Sequence, residues 1–296
     1  MNTNIAQRPA VHAEKGFVGQ RGKNLLAKTL ATVFFAFLAV LFFIPFYWMV
    51  VSSFRPSENI FVEAGKFIPS EVTLDSYRKL FDQLPYPRWF FNSVLMSVTY
   101  AVLTLALCAT GGFALAKYRF PFRNTIFVGI LGSQMIPFHL LLIPLFIIMV
   151  NYRLTDTYLG AILPLAAHPF GLFFMRQFML NISDDLLDAA RVDGASEYRL
   201  FFSIVLPLVK PAMGALAILF SMQFWNNLLW PLVVMRSAEK LPLTVGIASL
   251  INQYRPQYDV VMAASFLSAF PIILLFLFMQ KQFLSGMAAT GVSVEK

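Results

Sequence analysis

Six long apolar runs separated by polar gaps set the layout of this chain. They cover Thr29 to Ser53, Asn92 to Ala116, Asn124 to Val150, Thr157 to Leu180, Pro211 to Met235 and Asp259 to Gln280. A helix needs about 20 apolar residues to cross the hydrocarbon core of a bilayer, and each run reaches that length. The pattern predicts an all-α membrane protein with six transmembrane helices. Residues 1–28 are polar, carry Arg8, Lys15, Arg21, Lys23 and Lys28 against one acid, Glu14, and read as a disordered basic tail. The first run is longer than the apolar core of a signal peptide and ends without a convincing cleavage site, so it is expected to remain as a span.

The polar gaps assign the sides. Lys117-Tyr118-Arg119-Phe120-Pro121-Phe122-Arg123, between the second and third runs, has three basic residues and no acid. Short loops of that kind face the cytoplasm. With an even number of spans, both termini are then cytoplasmic too. The expected layout is a basic tail over 1–28, a six-span body over 29–284 with a cytoplasmic loop at 183–207, and a cytoplasmic C-terminal tail over 285–296. The gaps Phe54 to Phe91 and Arg236 to Tyr258 fall outside. The first reads equally as a folded hairpin with short helices or as a solvated connector. In the second, Leu241-Pro242-Leu243-Thr244-Val245-Gly246-Ile247 is too apolar for a hydrated linker and is expected to fold against the mouth of a pathway.

Composition narrows the chemistry. With 58% hydrophobic residues, 13% charged residues and 32 Phe in 296, this is no soluble globular domain. The net charge of +8 does not indicate nucleic acid, because the bases flank apolar spans. Cys108, the one cysteine, lies inside an apolar run and reads as a packed thiol. Gly-x-x-x-x-Gly-Lys-Ser/Thr, His-Glu-x-x-His, Gly-x-Ser-x-Gly and paired carboxylates within a span are all absent. Nucleotide, metal and acyl-transfer chemistry therefore lack their residues, and the chain is not expected to be an enzyme. The span centres hold no Asp, Glu, Lys or Arg, whereas ion-coupled carriers place charge at membrane depth. A secondary transporter, or a channel working without an ATPase, is the alternative reading. His139 and His168 lie within spans, where a hydrogen bond between helices is the commoner role.

The long polar interruption of the second half, Ser183 to Pro207, predicts a compact knob. Asp184 and Asp185 match the positive end of a helix beginning after Ser183, and Gly194 ends it. Leu186, Ala189, Ala190 and Asp193 share a nearly flat face. After the turn, Tyr198, Phe201, Phe202 and Val205 lie at helical spacing on a second helix that Leu206-Pro207 is expected to stop. Asp188-Ala189-Ala190, Asp193-Gly194-Ala195, Phe201, Ile204 and Leu206-Pro207 resemble the cytoplasmic loop of the membrane subunits of binding-protein-dependent ABC importers. Asp188 stands where that family usually has Glu, and Ser183 where proline is common. Phe91-Asn92-Ser93, Ala114 to Tyr118, Trp225-Asn226 and the tail Gly286 to Val292 resemble the shorter membrane subunit of the carbohydrate importers, the group containing the maltose permease.

The resemblance implies a type I ABC importer transmembrane domain in a bacterial inner membrane. It implies as partners an ABC ATPase dimer, a homologous second permease subunit, an extracytoplasmic solute-binding protein and a sugar. ATP and Mg would sit on the ATPase, with no cofactor on this chain. Asp188, Ala189, Ala190, Asp193, Gly194, Ala195 and Phe201 are then the ATPase-coupling residues. Polar residues inside spans are candidates to line a path for a neutral hydroxylated solute: Asn92, Gln134, Gln223, Trp225, Asn226 and Asn227, with His139 beside them. For each the competing role is hydrogen-bonded glue between helices.

Overall fold

In the computed structural model, which describes residues 15–251 and 257–291 (side chains over 27–251, 257–274 and 277), all regular structure is helical among the described residues. Helix α1 (Lys15–Ser53) starts inside the polar tail, so residues 15–28 are helical where disorder was expected. Leu25, Leu26 and Ala27 are good helix formers, and extending an existing helix avoids the cost of nucleation. Residues 1–14 lie outside the described residues. Between Val33 and Phe46, α1 exposes large apolar side chains all round, as a membrane-embedded helix does.

The gap after α1 is a folded hairpin, which settles the choice between hairpin and connector. It holds α2 (Asn59–Val62) and α3 (Asp75–Asp82), with Ile60 and Leu80 wholly buried. The buried Arg55 guanidinium donates to the carbonyls of Glu63, at 2.9 Å, and of Lys66. Thr73 N–H returns to the carbonyl of Phe54 at 2.8 Å.

Helix α4 (Tyr86–Lys117) is the second long unbroken span and the centre of the packing. The third and fourth runs differ from the expected straight rods. The third is α5 (Arg123–Gly132), a 3₁₀ turn at Ser133–Met135 and α6 (Phe138–Asn151), bent by 102° at Ile136-Pro137. The fourth is α7 (Tyr158–Ala166) and α8 (Pro169–Leu180), bent by 51° at Ala167-His168. Both bends precede a proline that forces the residue before it out of the helical region.

The polar segment follows as α9 (Asp184–Val192) and then α10 (Glu197–Arg199), continued by a π-helical stretch at Leu200–Val205 into α11 (Leu206–Leu208). The helix ends at Leu208, one residue past the expected stop at Leu206-Pro207. The chain then bends by 77° before α12 (Lys210–Trp225). The fifth run, expected to be helical as far as Met235, breaks at Asn226–Leu228 before α13 (Leu229–Val234). Helix α14 (Leu243–Ile251) folds the apolar segment after Leu241 onto α4, and α15 (Tyr258–Gly291) closes the structure. Most of the tail expected from residue 285 thus continues a helix, and Val292 lies outside the described residues.

Glycine lets α4, α8 and α12 approach closely. A Cβ on Gly112 would lie 2.9 Å from Met175 Cβ and 3.0 Å from Arg176 N. One on Gly171 would meet the Phe220 ring at 2.5 Å and Cys108 Sγ at 2.7 Å, so the cysteine is a packed thiol at a three-helix contact. Small residues serve membrane helices this way, because close packing replaces the hydrophobic drive available in water. The loops gather at opposite ends of this core. Lys117 to Arg123 and the knob share one end, while the Arg55 hairpin, Asp156 and Arg236 to Leu241 share the other.

Candidate functional site

The knob is held by its own hydrogen bonds and by one end of α4. Gly194, at φ +82°, ends α9: its N–H reaches the carbonyl of Arg191 at 3.0 Å, and Ala195 N–H reaches that of Ala190 at 2.9 Å. This paired closure satisfies two orphan carbonyls and needs a residue at ease in the left-handed region. Asp188 Oδ1 accepts from Arg191 Nη1 at 2.7 Å, and Arg191 Nε donates to Glu197 Oε1 at 2.9 Å. Glu197 Oε2 accepts from the Tyr118 hydroxyl, carrying the network across to α4. Lys117, almost wholly buried, reaches Asp184 Oδ1 at 2.7 Å and the carbonyl of Ile182. The hydrogen bonds from Arg191 and Tyr118 hold Glu197 below the usual carboxylate range, and Lys117 does the same for Asp184. Burial, and then the neighbouring Glu197, push Tyr118 up to about 12.

The predicted coupling residues divide between two roles. Asp188, Ala189, Asp193 and Gly194 are exposed, while Ala190 and Ala195 are half-buried against the body. Phe201 does not face outward at all. It is buried, with its ring 5.2 Å from that of Phe113 on α4, and so anchors the knob. Leu187, which the sequence reading passed over, is the buried anchor of α9. Val192 and Tyr198 stand 88% and 79% exposed on either side of Gly194 in the chain, and Leu186 and Phe202 are exposed on the same knob. Neither Val192 nor Tyr198 was singled out for coupling in the sequence; the signal that could have found them is an apolar side chain at a position inside a polar segment.

The polar span residues also divide. Between α4, the α5–α6 break, the α7–α8 break and the end of α12 lies a cleft of about 670 Å³. Gln134, Gln223 and Asn227 line it together with Ser133, His168, Tyr100 and Phe170. His168 Nδ1 accepts from Gly171 N–H at 3.2 Å, capping α8. That fixes its other nitrogen, Nε2, as the donor to Gln223 Oε1 at 3.1 Å, leaving the Gln223 amide hydrogens free for a ligand. His168, read from sequence as helix-to-helix glue, makes that bond and also borders the cleft.

Asn92 is not a lining residue. It is wholly buried, its Nδ2 donating to the carbonyls of Glu239 at 2.8 Å and Leu241 at 3.0 Å while its Oδ1 accepts from the Tyr158 hydroxyl at 2.9 Å. With its hydrogen-bonding capacity used inside the protein, it is glue. Trp225 points away from the cleft, edge-on to Phe90 at 5.7 Å, towards Val94, Val98 and Pro271. Asn226 caps α12 by donating to the carbonyl of Met222 at 2.9 Å and shares an open hollow with His168 and Gln223. His139 is exposed on α6 and does not line the cleft.

Residues 108–288 match the family model of the binding-protein-dependent transport system inner membrane component. The chain belongs to that family. It is 41% identical over 276 residues to the arabinooligosaccharides transport system permease protein AraQ of Halalkalibacterium halodurans, covering 92% of this chain and 99% of that one. To the lactose transport system permease protein LacG of Rhizobium radiobacter it is 34% identical over 252 residues, covering 85% and 90%. Among solved structures, a chain of a bacterial ABC transporter involved in import of the acidic polysaccharide alginate superposes with a TM-score of 0.79 at 23% identity, covering 88% of this chain and 98% of that one. At that identity the likeness is one of fold, and it extends over nearly the whole permease. Family membership speaks against the alternative of an ion-coupled carrier.

Proposed function

We propose that this permease is one membrane subunit of an ATP-driven importer for an oligosaccharide and forms half of the translocation pathway. It crosses a bacterial inner membrane six times with both termini in the cytoplasm, counting each of the three bent pairs as one span beside α1, α4 and α15. Its knob docks on a separate ABC ATPase dimer that binds ATP and Mg. A homologous second permease completes the path, and an extracytoplasmic binding protein delivers the solute.

The cleft carries the reading. It is bounded by broken spans and lined by the uncharged polar groups of Gln134, His168, Gln223 and Asn227 beside aromatic rings. Backbone breaks at membrane depth are tolerated where they line a cavity, and amide donors beside ring faces suit hydroxyl-rich rings. The exposed Val192, Gly194 and Tyr198 on a knob bound to α4 support the docking role. Names of the relatives place their substrates among arabino-oligosaccharides and lactose.

The test is uptake by the co-purified complex in vesicles loaded with or without ATP, with labelled arabino-oligosaccharides and lactose in competition. Uptake should require internal ATP and favour one sugar. Gln223→Ala should lower the rate about fivefold, the loss of one hydrogen bond of about 1 kcal/mol, with the complex intact. Uptake driven by a proton gradient without ATP would overturn the reading.

A further inference from the structure

Tyr47 lies on α1 six residues before its end at Ser53, and its hydroxyl donates to the carbonyl of Phe67 at 2.6 Å. The two rings are 6.1 Å apart. At about 1.5 Å of rise per residue, the segment carrying Phe67 folds back to roughly 9 Å below the end of an apolar span. It is held there firmly. Arg55 binds the carbonyls of Glu63 and Lys66, Lys66 Nζ bridges Glu63 Oε1 at 3.0 Å and Ser70 Oγ at 2.9 Å, and Ser70 N–H donates to Glu63 Oε2 at 3.2 Å. These bonds give Arg55, through its two terminal nitrogens, and Glu63 and Lys66 partners within the hairpin, and Phe67 and Ile68 point outward, 69% and 79% exposed. Within two helical turns of Tyr47, α1 exposes Phe42, Phe43 and Phe46, so Phe67 and Ile68 emerge at the level of a span's apolar surface.

We propose that Phe67 and Ile68 insert into the headgroup–acyl boundary of the leaflet opposite the knob, so that lipid anchors the Arg55 hairpin. A water-soluble partner is a poor fit, because the segment lies below the end of the span and its nearby charges already have partners within the hairpin. A bilayer boundary rewards the burial of apolar side chains at that depth. Glu58 and Glu71, exposed on the same hairpin, return to water.

Nitroxide labels at Phe67→Cys, Ile68→Cys, Glu58→Cys and Glu71→Cys, each in a Cys108→Ala full chain, test this in vesicles of palmitoyl-oleoyl phosphatidylcholine and phosphatidylglycerol. The ratio of oxygen to nickel-chelate accessibility should be several-fold higher at 67 and 68 than at 58 and 71, both for the chain alone and for the co-purified complex. Should the label at 67 disturb the fold, Ile68→Trp gives a second readout, with quenching by lipids brominated near the headgroup expected. Aqueous accessibility at 67 and 68, or shielding from both reagents that appears only in the complex, would overturn the proposal in favour of a solvated loop or a protein partner.

Discussion

Replacing Gly194 with valine and, separately, with asparagine distinguishes two reasons for a glycine at the tip of the knob. At φ +82° the backbone is left-handed, and a Cβ built there finds no atom within 4 Å. The chain itself therefore has room for a side chain, and the internal cost is conformational alone. For an ordinary residue that cost is about 1–2 kcal/mol, with a β-branched side chain at the upper end, whereas asparagine tolerates the region with little strain. Neither cost unfolds the protein, because Arg191–Glu197, Lys117–Asp184 and the Phe113–Phe201 contact hold the knob independently. Both variants should insert and purify normally. If an ATPase closes over Gly194, both should lose uptake and shed the ATPase during purification, because each adds atoms where the partner lies. Uptake and co-purified ATPase, measured side by side, decide it. Normal transport by Gly194→Asn with loss in Gly194→Val would leave backbone strain as the whole explanation and refute a contact at this position.

Three further outcomes follow from the same geometry. Asn92→Ala orphans the buried Leu241 carbonyl, the part-buried Glu239 carbonyl and the Tyr158 hydroxyl, so the detergent-solubilised chain should lose about 2–3 kcal/mol, read as a lower melting temperature, with sugar preference unchanged. Glu197 has a depressed pKa, so its contribution is fully present above the ordinary glutamate value of about 4.3 and is lost as pH falls below it. Protease sensitivity of the knob should therefore stay flat from about pH 8 to 5 and rise only in acid, while Glu197→Gln should be sensitive throughout. A reporter active only outside the cytoplasm should work when fused at Gly65 and fail at Arg119 and Ser196; activity at Ser196 would put the knob on the wrong side for an ATPase.

The spans and the knob were legible in the sequence because each is written locally. Uncharged runs give length, and Asp184-Asp185 with Gly194 give both ends of α9. The breaks were not. Pro144, Pro164 and Pro271 lie inside helices, while Pro137 and Pro169 follow bends, so proline alone does not decide. The freed backbone groups do: His168 can accept from Gly171 N–H, and that partner is visible only once α8 is in place. The same limit applies to Asn92 and Trp225. A polar or aromatic residue in an apolar run says that a partner exists, but whether it is a carbonyl of residues 239–241 or a solute depends on how a loop far along the chain folds.

Among the described residues, helix α4 is an unbroken rod that reaches from the knob to the opposite loops, which is the geometry of a lever. Its knob end is pinned by Lys117–Asp184, Tyr118–Glu197 and Phe113 against Phe201, and its other end is latched through Asn92 and Trp89 to residues 238–241. At 32 residues it is about 48 Å long, so a tilt of only about 5° imposed at the knob sweeps the far end through about 4 Å. The bent spans beside it border the cleft. If a partner rotates the knob slightly at one face of the membrane, a rod of this length turns that into a displacement comparable to the width of a water molecule or more at the other, without any helix having to melt.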